Sequence, residues 1–195
     1  MYAQLNTKTV FSFMDATVKL TDYITAAKTL GYQTLGISDV DNLHAAHQFI
    51  TQAKAAGIQP VIGYETTLLL DGLAINFTFI AKTNAGLQNL YSISSKKNFG
   101  YNNFSDIHSH LCDVALILPA DSAVDSILTH LPQNDVFVGL AQPMAQGFLR
   151  PTIPFLSVRY LNAGDAETLA ILHHVKNGTK YDDSLTSNHF ESLRL

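Results

Sequence analysis

One cysteine among 195 residues, no apolar run long enough to cross a bilayer and only 14% charged side chains mark this sequence by what it does without. A lone Cys112 has no partner for an internal disulfide; it reads as a small hydrophobe near the surface and suits a reducing compartment. The apolar stretch from Thr66 to Ala81 is broken by Asp71-Gly72, and the first ten residues lack a basic start followed by an apolar core. Neither a membrane span nor a signal peptide is expected, so the chain is assigned to the cytoplasm. With 12 basic against 16 acidic residues and a net charge of -4, no electrostatic footprint for gripping nucleic acid is spread along it. The one basic cluster, Lys96-Lys97, reads as a solvated helix end. There is no phosphate-binding G-x-x-x-x-G-K-[ST] loop, no supported Ser/His/Asp arrangement and no internal repeat.

What is present is enough for a core. At 47% hydrophobic composition, the chain is expected to fold as one domain, residues 1–195, burying roughly 70% of the surface its unfolded form exposes. The opening stretch YAQLNTKTVFSFMDA, residues 2–16, alternates like a strand and sets Gln4, Asn6 and Lys8 on one face. Thr21 is placed to cap a helix with Tyr23, Ile24, Ala27 and Leu30 on its apolar face and Gly31 as its stop. TLGIS reads as a buried strand. Asp41 or Asn42 is placed to cap a second helix carrying Leu43, Ala46, Phe49, Ile50 and Ala53, with Gly57 at its end. QPVIGYE follows as a strand, TTLLL and LAINFTFIAK flank the hairpin signal Asp71-Gly72, and NAGLQNLYSISS returns to helical periodicity. DVALILPA, DVFVGLA and IPFLSVR are further strands, SAVDSILTHL and DAETLAILHHV further helices.

Strands separated by helices argue for a parallel sheet, and six or seven such units in one domain argue for an α/β barrel over an open sheet. Function in such barrels gathers at the C-terminal strand ends. Those positions hold Gln4, Asn6 and Lys8, then Asp39 and Val40, then Glu65, and finally Ser157 with Arg159.

The same positions carry a resemblance. YAQLNTKTVFSFMDA is similar to the first motif of the PHP (polymerase and histidinol phosphatase) family, H-x-H-x-H followed by Y/F-S and D-G. ISDVDNLHAAHQFITQAKAAGIQPVIGYE resembles the family's T-D-H-G-N-L helix and G-x-E strand, in the form found at the N-terminus of bacterial DNA polymerase III alpha subunits. INFTFIAKTNAGLQNLYSI and LSVRYLNAGDAETLAILHHVKNGTKYDD resemble two later segments of that form. The resemblance implies a distorted (β/α)7-type barrel, the PHP fold, with a cluster of histidines and carboxylates that holds up to three metal ions for phosphoester hydrolysis. Carried onto this chain, the histidine positions fall at Gln4, Asn6, Lys8, Val40, Asn76 and Arg159, and a late aspartate falls at Ser157. Two further ligand positions lie near Ala120 and Pro143. Only Asp15 and Glu65 keep a ligand-type side chain, and Asp39 beside a lost histidine remains acidic.

Zn²⁺ or Mn²⁺ needs imidazole nitrogens and carboxylate oxygens at about 2.0 to 2.2 Å. Amides substitute poorly, valine and proline donate nothing, and Lys8 and Arg159 bring positive charge where cations would sit. The expectation is a vestigial site without metal. Its two carboxylates, if partly buried, need a cation close by. Arg159, with its planar fork, is expected to pair with Asp15 or Glu65, and Lys8 is the second candidate. His108 with His110, His44 with His47, and His173 with His174 lack the companions of a metal centre and read as surface or helix-face residues.

Two functions are weighed. The first is a non-catalytic PHP domain of a replicative polymerase alpha subunit, an N-terminal piece of a much longer chain. Its partners are then the remaining polymerase domains and, in some relatives, a separate proofreading exonuclease. DNA is met only through the parent, whose polymerase site uses Mg²⁺; this domain carries no cofactor, and no membrane is involved. The alternative is a stand-alone metal-dependent phosphoesterase resembling histidinol phosphatase.

Overall fold

The computed structural model describes residues 3–120, 127–141 and 147–179. Branched and aromatic runs supply six strands: β1 (Thr34–Val40), β2 (Gln59–Leu70), β3 (Leu73–Ala81), β4 (Val114–Pro119), β5 (Val136–Leu140) and β6 (Thr152–Pro154). They lie in sequence order in one curled sheet. The β1, β2 pair and the β4, β5 and β6 pairs are parallel, while β3 runs antiparallel to both its neighbours. The parallel order breaks at the expected Asp71-Gly72 hairpin, where both residues take positive φ and turn the chain within two residues. QPVIGYE and TTLLL become one twelve-residue strand, and the next strand runs straight back. The α/β architecture stands, as a mixed sheet.

The curl is closed by a segment that is not a continuous strand. Gln4 bridges Leu35 and Thr7 bridges Val158. On one side Gly36 N–H donates to Gln4 O at 2.7 Å and Ser38 N–H to Thr7 O at 2.9 Å. On the other, Lys8 N–H donates to Val158 O and Val158 N–H to Asn6 O, both at 2.9 Å. Residues 4–8 thus sit between β1 and the chain leaving β6. The expected polar–apolar alternation fails because the segment is covered on both faces: Asn6, Thr7, Lys8 and Thr9 are all buried.

Helices α1 (Leu20–Thr29), α2 (Ala46–Ala55), α3 (Asn84–Asn98), α4 (Phe104–Ile107) and α5 (Asp165–Asn177) connect or flank the strands. Tyr23 of α1 and Phe49 of α2 stack with ring centroids 6.3 Å apart in the main core. Two expected caps are displaced. α1 begins after Lys19, so Thr21 lies inside it, and Leu30 stays half exposed. α2 begins only at Ala46, because Asn42 forms a turn, accepting from His44 N–H and donating to Val40 O and Phe11 O. Gly31 and Gly57 do adopt the left-handed conformation at the ends of these helices. Thr83 caps α3, its hydroxyl accepting from Gly86 N–H. Lys96 and Lys97, expected to be solvated, are tied down instead: Lys96 Nζ donates to Asp106 O at 2.6 Å, and Lys97 Nζ to Thr67 O and Asn102 Oδ1 at 2.8 Å each. The Thr67 carbonyl of β2, the Asp106 carbonyl of α4 and the Asn102 side chain attract them. The first half of SAVDSILTHL lies outside the described residues. No helix among the described residues is long and apolar enough to cross a membrane.

Gly36 is where the closing segment lies closest to β1. A Cβ there would stand 2.9 Å from Leu5 Cα and 3.2 Å from Gln4 O, and backbone yields less readily than a side chain tip. Gly36→Ala is expected to destabilise the fold by about 1–3 kcal/mol, read from the denaturant midpoint. An unchanged midpoint would mean that the segment is not seated against β1.

Candidate functional site

Lys8 is brought to the barrel mouth by the closing segment and is fully buried. An ammonium has three N–H donors, and each finds an acceptor. Nζ lies 2.6 Å from Asn6 Oδ1, 3.0 Å from Ser38 Oγ and 2.6 Å from Glu65 Oε2. The acceptors come from the closing segment, β1 and β2 in turn. Glu65 is also approached by Asn76 Nδ2 at 3.2 Å and Thr78 Oγ1 at 3.4 Å, both from β3. Ser38 Oγ reaches Asn6 Oδ1 at 3.1 Å.

Burial pulls Lys8 below the usual lysine range, opposed by the charge and hydrogen bond of Glu65. Burial would raise Glu65, but the charge and hydrogen bond of Lys8, with Asn76 and Arg159 adding to them, outweigh it and hold the carboxyl below its ordinary 4.5. The two directions compete, since one disfavours the ammonium and the other favours the carboxylate. With three acceptors around Nζ, the ion pair is the form the geometry supports at neutral pH.

Two further carboxylates fix the segment that follows. Asp39, buried at the end of β1, accepts from Thr9 N–H at 2.6 Å, Thr9 Oγ1 at 2.8 Å and Ser12 Oγ at 2.7 Å. Ser12 Oγ in turn accepts from Val40 N–H, so Ser12 is a structural hydroxyl. Asp15 pairs with Arg159 Nη1, the bridge expected from the desolvation argument. It also has His173 Nε2 at 3.2 Å and Lys176 Nζ at 3.9 Å, both from α5.

The sequence positions thus divide into two ionic centres. Asn6, Lys8, Glu65 and Asn76 share the first, and Asp15 and Arg159 the second. Gln4 turns aside to donate to Leu156 O at 2.7 Å. Val40 is partly exposed at the strand end, and Ser157 Oγ is buried with no hydrogen-bond partner among the described residues. Ala120 directly follows β4, its N–H donating to Gly139 O, while Pro143 lies outside the described residues. Ser38, Thr9, His173 and Lys176 were not foreseen. The 3-residue spacing of His173 and Lys176 puts them on one helix face, which was the available signal. Ser38 offered none, being a small polar residue inside an apolar strand.

Replacing Glu65 by Gln leaves the buried Lys8 ammonium without its counter-charge, and a loss of about 3–5 kcal/mol is expected at pH 7. The folded carboxyl ionises below its unfolded 4.5, so its contribution is complete above that pH and disappears as pH falls through the folded value. Denaturant midpoints for the wild type and Glu65→Gln should therefore converge below pH 4.5. A gap independent of pH would show that no ion pair is involved.

A family model described as PHP domain matches residues 4–142, the stretch that holds the closing segment and β1 to β5. A DNA polymerase III subunit alpha from Streptococcus pyogenes is 36% identical over 180 residues, which cover 91% of this chain and 17% of that relative. One from Staphylococcus epidermidis is 31% identical over 209 aligned positions, covering 99% of this chain and 19% of the relative. The chain spans less than a fifth of the length of these curated relatives. A solved amidohydrolase from Chromobacterium violaceum is similar over 71% of this chain and 76% of its own, at TM-score 0.47 and 10% identity. Matched from Gln4, the first residue of the closing segment, through β5, the chain belongs to the PHP domain family.

Proposed function

We propose that residues 1–195 form the PHP domain of a bacterial DNA polymerase III alpha subunit and act there as a folded support, not as a phosphoesterase. The observation that carries this reading is the Lys8 ammonium, fully buried against Glu65 at one of the positions where the family resemblance puts a metal-binding histidine. The residues present do not fit a cluster of divalent ions. Glu65 is engaged by Lys8, Asp15 by Arg159 with His173 and Lys176 alongside, and the amides of Gln4, Asn6 and Asn76 are weak donors to Zn²⁺ or Mn²⁺. A metal would have to displace a tethered cation and share its place with a second.

On this reading the relatives' remaining length supplies the partners: polymerase domains against which this one packs, with a separate proofreading exonuclease as a further candidate. Nucleotidyl transfer, its Mg²⁺ and DNA contact belong to those other parts, in the cytoplasm.

Metal analysis of the purified chain, with phosphatase and single-strand 3′ to 5′ exonuclease assays in Mn²⁺, tests the reading. Substoichiometric metal and no turnover above buffer are expected. Stoichiometric metal together with turnover that Glu65→Ala abolishes would establish the alternative, a metal-dependent phosphoesterase.

A further inference from the structure

We infer that the Lys8 ammonium is a built-in monovalent cation that cross-links the closing segment, β1 and β2, and that the oxygen cage around it will accept a free primary alkylammonium when the lysine side chain is removed. The inference rests on the proposed function only in regarding this position as one that a bound metal does not share.

Three oxygens converge on one point within 3.0 Å, from Asn6, Ser38 and Glu65. Without a cation they would set lone pairs and a carboxylate charge against one another, with the Ser38 hydroxyl proton as the donor already spent on Asn6. Asn76 and Thr78 reach Glu65 from β3, the latter at 3.4 Å, and neither carries a charge. The cage therefore needs a positive group with three protons, and the four carbons of Lys8 deliver it from the segment that has to be held. Cation and cage are parts of one chain, so no ion is lost or gained from solution. The same geometry explains why the closing segment stays in place with two isolated bridges rather than a ladder.

Lys8→Ala removes Cγ, Cδ, Cε and Nζ, whose outline is that of n-propylammonium. The variant is expected to melt about 10 °C below the wild type. Adding n-propylammonium chloride should restore most of that loss with a saturable dose dependence and leave the wild type unchanged. Equal concentrations of 1-propanol or tetramethylammonium chloride, one uncharged and one without N–H donors, should not. A folded variant that ignores n-propylammonium, or responds equally to 1-propanol, overturns the inference. If Lys8→Ala does not fold, Lys8→Met supplies the volume without the charge. It should melt below the wild type, and adding Glu65→Gln to it should raise the melting temperature. Lys8→Met as stable as the wild type, or a second substitution that lowers stability further, would sink the proposal. Metal found in the wild type would strike at the proposed function while alkylammonium rescue could still hold; failed rescue in a metal-free, inactive protein strikes at this inference alone.

Discussion

A buried ammonium facing a buried carboxylate is the constraint around which the barrel mouth is arranged. Removing both charges from water is costly, and the pair stays favourable only where every remaining donor and acceptor is met. Lys8 meets that condition with three oxygens from three neighbouring chain segments. The ion pair thus ties the closing segment to the adjoining ends of β1 and β2, and Asn6 and Ser38 turn toward it. By contrast Lys82 and Asp135, each 42% exposed, form a solvated surface pair that constrains little.

The other two carboxylates continue the same logic along the chain. Asp39 holds the backbone and hydroxyl of Thr9 and the hydroxyl of Ser12, so the turn after the closing segment is fixed to the end of β1. Asp15, a few residues on, is held by Arg159 and lies within reach of α5. Around these carboxylates the donors are protein cations, hydroxyls and a backbone N–H. Residue types that look like losses when compared with a metal site are, in this packing, donors and acceptors matched to one another.

Much of this was legible in the sequence because it follows from local chemistry. The buried run TLGIS, the Asp71-Gly72 hairpin and helix α3 are set by side chain branching, turn geometry and helical periodicity. The Arg159 to Asp15 pair followed from the cost of leaving a carboxylate alone at a strand end. What escaped depends on distant chain segments. Nothing local says that QPVIGYE and TTLLL merge into one strand that pairs with β1 along its first half and carries the hairpin at its end. Nor does the alternation of residues 2–16 reveal that both faces are covered, since that depends on residues about 150 positions away. Lys96 and Lys97 have the composition of a solvated helix end, but carbonyls from β2 and from α4 capture them. His173 looked like one half of an uninformative pair until α5 brought it beside Asp15.

The closing segment binds one flank to β1 and the other to a stretch 152 residues further on, through Gln4 and Leu156. During ribosomal synthesis the early flank can dock once β1 has emerged, yet the late flank has no partner until Val158 leaves the exit tunnel. At about 5–20 residues per second this leaves an unpaired polypeptide edge for roughly 6–24 s. The Lys8 acceptors all precede residue 66, so its ion pair can form long before the late flank, whose pairing cannot precede the synthesis of Val158.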